Sequence, residues 1–374
     1  MGHLWAFSNE IESISMEPQA GDIVQLLAHS GKFLGIGFYN PHSLIAVRLL
    51  SRAQEEIDFD FFQSRIQSAL TLRRMLYPNS ETFRLVHGES DLLPGLVVDK
   101  YNDYLAVQTF SFGMDRRLTL ICDILESLLH PAGIVERNES ALRQLDGLQE
   151  RKGILRGSPS PTTISEYGIK YKIDLLEGQK TGFFLDQREN RKAIRRYAKG
   201  ARVLDCFCND GGFALNAAYA EAGDVTAIDI SETAVGRAAE NSKINGLADR
   251  TNFIAADAFE FMSEASSKGE KYDLVILDPP SFAKSKKNVT SARRGYADIH
   301  NSAFKLIKPG GILATASCSH HVYEATFLEI INTCARSAAR TISLLEWRGA
   351  SADHPTLPAM PETRYLKFGI FRVN

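Results

Sequence analysis

The chain has 374 residues, 44% hydrophobic and 24% charged, with a formal net charge of −2. That length suits two or three domains of ordinary globular composition, and the charge excludes a global basic field, so nucleic-acid binding must come from local patches. No apolar run reaches the ~18 residues of a membrane span, and Met1-Gly2-His3-Leu4-Trp5 lacks a signal-peptide pattern. Five scattered cysteines make no disulfide framework and no zinc-spaced ligand set, so no metal is expected, and a reducing cytoplasm is the natural compartment. There are no repeats. In chain order, Asp22 to Ala28, Phe33 to Tyr39 and Ser43 to Leu50 read as short strands divided by Ser30-Gly31 and Asn40-Pro41. This spacing predicts a small β-barrel over residues 1–72.

Within it, Gly31-Lys32-Phe33-Leu34-Gly35-Ile36-Gly37-Phe38-Tyr39-Asn40 followed by Ile45-Ala46-Val47-Arg48 resembles a PUA domain. The resemblance implies binding of structured RNA. A folding or dimerising appendage is the alternative, which leaves a homodimer open. Asp58 to Tyr77 reads as a helix capped by Asp58 or Asp60, with Phe62, Ile66, Ala69, Leu70 and Arg73 on one stripe. Residues 73–176 read as a middle α+β domain. Its strands are Thr82 to His87, Gly95 to Asp99, Tyr104 to Phe110 and Gly133 to Arg137, with a helix over Leu118 to Leu129. Arg151 to Thr163, rich in Gly and Pro, reads as a mobile loop, and Glu166 to Leu176 as one half-buried strand. Nothing in this domain carries obvious chemistry.

Glu177 to Arg191 packs turn, aromatic and charged residues densely. Phe183 and Phe184 are placed to cover an adenosine or a base, and Arg188 to pair with a carboxylate or phosphate. The plainer reading is a helix start capped by Asp186, with Arg191, Lys192, Arg195 and Arg196 on its exposed face. Ala201 to Phe213 (A-R-V-L-D-C-F-C-N-D-G-G-F) then reads as strand, glycine turn and helix, the first βα turn of a nucleotide-type sheet. G-x-G-x-x-G is absent; only Gly211-Gly212 stands there. Val225 to Asp229 is a second strand ending in an acid, about 24 residues after Asp205, near the spacing at which a carboxylate meets a ribose hydroxyl. Asn252 to Ala258 and Tyr272 to Pro280 carry Asp257 and Asp278 at the ends of a third and fourth strand. Ligands of open α/β sheets bind at those carboxyl ends. Ser231 reads as a helix cap and Gly246 as the stop.

This order, with Asp278-Pro279-Pro280 at the substrate, resembles the class I S-adenosylmethionine (SAM) methyltransferases and implies a Rossmann-like C-terminal domain over 177–374. The resemblance implies a cofactor set of Asp205, Phe207, Gly211, Gly212, Asp229, Ile230, Asp257, Ala258 and Asp278, joined by Phe184, Gln187 and Arg188. Asp229 would hold the ribose, Asp257 the adenine amino group, and Asp205 the turn and the methionine amine. K-T-G-F-F-L-D-Q-R-x-N-R, read with the barrel and the acidic strand ends, is similar to bacterial 23S ribosomal RNA cytosine-5 methyltransferases with an N-terminal PUA domain. The implied partner is ribosomal RNA, naked or in a particle, with no membrane.

After Pro280, Phe282, Lys284, Lys286, Lys287, Arg293, Arg294 and Tyr296 interleave charge with aromatic rings, a pattern suited to phosphates and bases; a merely soluble loop is the alternative. The next strand ends in Ser317-Cys318-Ser319. A cysteine there is ordinarily a small buried hydrophobe, but Ser-Cys-Ser beside the Asp278 strand resembles the nucleophile motif of RNA cytosine-5 methyltransferases. C5 of cytosine is a poor nucleophile. A thiolate adding to C6 makes the ring an enamine, and Asp278 near N3 and N4 would stabilise the charge. Many relatives carry a second cysteine after the Asp-Pro. Pro280 stands here, which leaves water or His320 to remove the C5 proton. Cys208-Asn209-Asp210 also departs from the family's glycine turn. Cys122, Cys206, Cys208 and Cys334 read as structural. Two other functions stay open: N-methylation of a guanine or adenine, which needs no cysteine, and a non-catalytic RNA-binding assembly factor.

Overall fold

The apolar runs of the first fifty residues pair as an antiparallel sheet in the computed structural model, which describes residues 2–283 and 288–374. Its strands are β1 (Trp5–Phe7), β2 (Ile23–Leu27), β3 (Phe33–Tyr39) and β4 (Ile45–Ser51), in the order β1-β4-β3-β2. β1 is not among the strands expected from the sequence, because its three residues are too few to show a period of two. The sheet belongs to a unit comprising Met1–Ile164, Ile173–Leu185 and Ala352–Thr363.

In the same unit α1 (Phe59–Leu76) starts at Asp58, whose side chain accepts from Phe61 N at 3.0 Å. Five strands follow in sheet order: β5 (Thr82–His87), β6 (Leu96–Tyr101), β7 (Tyr104–Thr109), β8 (Gly133–Asn138) and β9 (Arg151–Gly157). α2 (Phe112–Asp115) and α3 (Leu118–Leu129) join β7 to its parallel neighbour β8. β9 corrects the expected mobile loop: its backbone pairs antiparallel with β8 from Asn138↔Arg151 to Gly133↔Gly157. The apolar stripe of α1 (Phe62, Ile66, Leu70) meets α3 (Ile121, Ile124, Leu125) and the sheet residues Phe83, Leu85 and Val98 in one core. Each such fully buried side chain contributes roughly 1.5–3 kcal/mol. Arg73 is fully buried on α1 because Asp91 accepts from Nη1 and Nη2 at 2.5 and 2.7 Å and Asp353 O accepts at 2.8 Å.

The strand expected over Glu166 to Leu176 is instead half of a hairpin, β10 (Thr162–Glu166) with β11 (Ile169–Ile173). Tyr167 and Gly168 both take positive φ, +49° and +88°, which the tight hairpin turn requires. The alternation Ile169, Tyr171, Ile173 still faces inward.

The second unit comprises Ser165–Lys172, Asp186–Ser351 and Arg364–Asn374. Its sheet has the order β14 (Thr251–Ala255), β13 (Asp224–Asp229), β12 (Arg202–Cys206), β15 (Tyr272–Leu277), β16 (Ile307–Ser317), β18 (Lys367–Val373) and β17 (Ile342–Arg348). The first five are parallel; β18 runs antiparallel to both neighbours. The strands read as continuous apolar runs because both faces are covered. One face packs Leu204, Val275 and Leu313 against α7 (Ala258–Ser267), α8 (Val289–Leu306) and α9 (Glu324–Ser337). The other packs Val203, Leu274, Ile276 and Phe368 against α4 (Arg188–Ala193) and α5 (Gly212–Tyr219). α6 (Glu232–Ile244) is capped by Ser231, whose Oγ accepts from Ala234 N at 3.3 Å, and Gly246 follows it at φ +66°. No helix of the described residues is long and apolar enough to cross a membrane, and no group of three or more His, Cys, Asp or Glu among them could hold a metal ion.

Candidate active site

Parallel strands deliver their loops to one edge of the sheet, and β12, β13, β15 and β16 bring their acids and Cys318 there. β12 runs into Phe207 and Asn209, both at positive φ (+67° and +46°), then Gly211 at +81°. Cys208 N donates to Ile228 O at 2.9 Å, which ties this turn to β13. Asp229 organises it further: Oδ2 accepts from Asn209 N and Oδ1 from Ser231 N, each at 3.0 Å. Ile230, beside it, is 74% exposed. Phe207 is half-buried against the core, and Ala258 is buried at the start of α7.

Gly212 has a packing reason: a Cβ there would lie 2.7 Å from Arg191 Cδ. Arg191 cannot withdraw easily, since Nε and Nη2 bond the two carboxylate oxygens of Glu166 at 2.8 and 2.7 Å. Arg188 Nε is 3.5 Å from the same carboxylate, and both arginines are buried. An exposed basic face on this helix is therefore corrected for Arg191: the chain's own carboxylate draws it inward. Arg188 meets a carboxylate, and it is Glu166. Phe184 clusters with the first unit, half-buried, with Lys180 Nζ 4.1 Å from its ring centre.

Asp205 is fully buried. Its Oδ2 accepts from Ala214 N at 2.9 Å, while Oδ1 has no partner among the described residues. Burial pushes its carboxyl well above the usual carboxylate range, and Asp278 and Asp229 push the same way. A cationic ligand group is what such an acceptor lacks. Asn209 Oδ1 is likewise buried without a partner among the described residues. The orphan acceptors of Asp205 and Asn209 and the oriented Asp229, gathered at the glycine turn, fit SAM, which carries an ammonium, a sulfonium and a ribose. Asp257 departs from expectation in one respect. It is the N-cap of α7 rather than a strand end, and Oδ1 accepts from Phe259 N and Glu260 N at 2.8 and 3.1 Å.

Gln187 reaches Asp278: Nε2 donates to Oδ1 at 3.0 Å. Asn190 Nδ2 holds Gln187 Oε1 at 2.7 Å, and Arg348 Nε holds Asn190 Oδ1 at 3.2 Å. This relay orients the carboxyl; Gln187 is expected at the site from the sequence, while Asn190 and Arg348 join it only through the fold. Cys318 follows β16, the parallel neighbour of β15, and is half-buried. Ser281 Oγ, three residues past Asp278, and Ser319 Oγ are 3.0 Å apart, so the loops bearing the acid and the thiol are joined. Tyr296 is a correction. It is fully buried on α8, and its hydroxyl lies 2.8 and 3.0 Å from Ser317 Oγ and Ser319 Oγ. An apolar residue on the inward stripe of a helix packs before it stacks on a ligand, so Tyr296 braces the Cys318 loop. Phe282 packs edge-on against it at 4.9 Å. Arg293 pairs with Glu329 at 2.9 Å and Arg294 is exposed. Lys284, Lys286 and Lys287 lie outside the described residues. The other cysteines are buried: burial pushes Cys122 and Cys334 up to about 11 and Cys206 and Cys208 well up.

A seven-stranded sheet with this order and one antiparallel strand, a glycine turn and acids at the strand ends define a Rossmann-like SAM-dependent methyltransferase. The chain belongs to that family: residues 140–371 match the S-adenosylmethionine-dependent methyltransferase model, and residues 1–52 match a PUA-like domain. It is 40% identical to the ribosomal RNA large subunit methyltransferase I of Aeromonas salmonicida over 378 aligned residues, covering 100% of this chain and 96% of that one. The protein of the same name from Vibrio cholerae is 40% identical, covering 98% and 94%. In fold the chain is similar to SMU.776, solved in complex with SAH (TM-score 0.86, 20% identity, 99% and 96% covered). It is also similar to a SAM-dependent methyltransferase from Agrobacterium tumefaciens (TM-score 0.53, 18% identity, 74% and 87% covered).

Proposed function

We propose that this enzyme methylates C5 of a cytosine in large-subunit ribosomal RNA, with Cys318 as the covalent nucleophile and the cytoplasm as the site of action. The observation that carries the reading is the Ser281–Ser319 contact, which joins the Asp278 and Cys318 loops on neighbouring parallel strands. The full-length likeness to large-subunit ribosomal RNA methyltransferases supports the substrate class. Pro279, Pro280, Phe282, Arg293 and Arg294 are the RNA contacts of this reading, together with the N-terminal domain over 1–72. The middle domain over 73–176 connects it to the catalytic domain over 177–374.

SAM supplies an electrophilic methyl group when bound, and Asp205, Asp229, Asp257 and the Gly211-Gly212 turn would hold it. The thiolate of Cys318 donates an electron pair to C6 of cytosine. The C5=C6 pair moves toward C5, which becomes the nucleophile. Asp278, held through Oδ1 by Gln187, orients the ring through its N3–N4 edge. After methylation the C5 proton leaves to a base, the C5=C6 bond re-forms and the sulfur departs with its original pair.

The test is incubation with unmodified 23S ribosomal RNA and labelled SAM, followed by nucleoside mass spectrometry. 5-Methylcytidine is expected, and Cys318→Ala should abolish it while SAM still binds. A methylated guanosine or adenosine that survives Cys318→Ala would replace this reading with N-methylation.

A further inference from the structure

Lys367 opens β18 directly across from Ser317, in the register Ser317↔Lys367, one residue before Cys318. Its side chain is buried, the residue being only 4% exposed. Nζ donates to Ser319 O and to Tyr365 O, both at 2.7 Å. An ammonium has three donors, so two carbonyls leave one N–H without an acceptor among the described residues. None of their carboxylates stands within ion-pair distance of it. A buried cation without a counter-charge is costly, and a methionine would fill the same space without that cost. Burial pushes the amine down to about 8, and the chief influence opposing that is Cys318, ahead of Glu324. Burial alone drives thiols the other way, as at Cys206 and Cys208.

We propose that Lys367 is a positioning residue for Cys318: its buried ammonium, anchored on the Ser319 and Tyr365 carbonyls, fixes the nucleophile loop and stabilises the thiolate. This deepens the reading of Cys318 as nucleophile and rests on it. On ionisation the sulfur keeps the electron pair, its proton goes to solvent, and Lys367 keeps all three of its own. A cation beside a cysteine lowers the pH at which the thiolate forms. Among the described residues Glu324, Arg364 and His320 also act on Lys367, and Tyr296 acts on Cys318; behind them His321 faces His320 and Asp278 faces Tyr296.

The test is the pH profile of Cys318 alkylation by iodoacetamide in the full chain. Peptide-resolved mass spectrometry separates Cys318 from the four buried cysteines, which serve as internal controls. Lys367→Met should move the Cys318 inflection up by about one pH unit, which slows alkylation at pH 7 about tenfold. Lys367→Arg should restore most of the difference. Lys367→Gln keeps a donor to the carbonyls but no charge, and should behave like Lys367→Met. It carries the test if the methionine variant fails to fold. An unmoved inflection in Lys367→Gln overturns the proposal, as does an equal shift in the arginine and glutamine variants. The alkylation profile does not depend on the reaction product. Methylation surviving in Cys318→Ala would therefore remove the nucleophile reading alone.

Discussion

Replacing Glu166 with glutamine keeps the shape of a buried side chain and removes its charge. Glu166 is 4% exposed and is the main counter-charge of Arg191, with Arg188 also at its carboxylate. Breaking a buried pair of this kind costs about 3–5 kcal/mol. Asp186 also acts on Arg191 and remains in the variant, so the lower end applies. At about 2–4 °C per kcal/mol for a unit of this size, the melting midpoint should fall by roughly 6–12 °C. A second effect follows from Gly212, whose missing Cβ makes room for Arg191 Cδ at the cofactor turn. Loosening Arg191 should therefore also weaken SAM. Thermal melts and calorimetric titration of Glu166→Gln measure both effects. A midpoint within about 2 °C of the parent would refute the idea that this ion pair supports the turn.

Asp229→Ala removes a carboxyl already oriented by Asn209 N and Ser231 N. SAM affinity should drop by about 1.5–3 kcal/mol, the range for hydrogen bonds to a charged group, or roughly 10- to 150-fold; unchanged affinity by calorimetry would sink the ribose role. His300 is fully buried, with Nδ1 2.6 Å from Tyr296 O and Nε2 3.0 Å from Thr315 Oγ1, and burial lowers it from 6.5 to about 4. The unfolded chain takes up this proton first as pH falls. The contribution is therefore complete above pH 6.5 and is lost between there and about 4, an effect of roughly 3 kcal/mol. His300→Gln should flatten that part of the stability–pH curve, and an identical curve would refute the assignment.

Most of the local structure was legible in the sequence because its signals lie within one window. Asp58 and Ser231 cap their helices, Gly246 follows α6, and the runs ending in Asp205, Asp229 and Asp278 are parallel strands whose loops share an edge. The acids at that edge and Cys318 followed from the same periodicity. β9 and the β10–β11 turn escaped it. Gly and Pro looked like loop where backbone pairing with β8 decided otherwise, and one alternation ran on through a tight turn. What only the tertiary structure decided is which buried polar groups meet. Glu166 pairs with Arg191 across 25 residues, Lys367 with Ser319 across 48, and Gln187 with Asp278 across 91. A buried charge or amide must find a partner wherever the fold supplies one, and neither residue type nor local spacing encodes a partner that arrives from another strand.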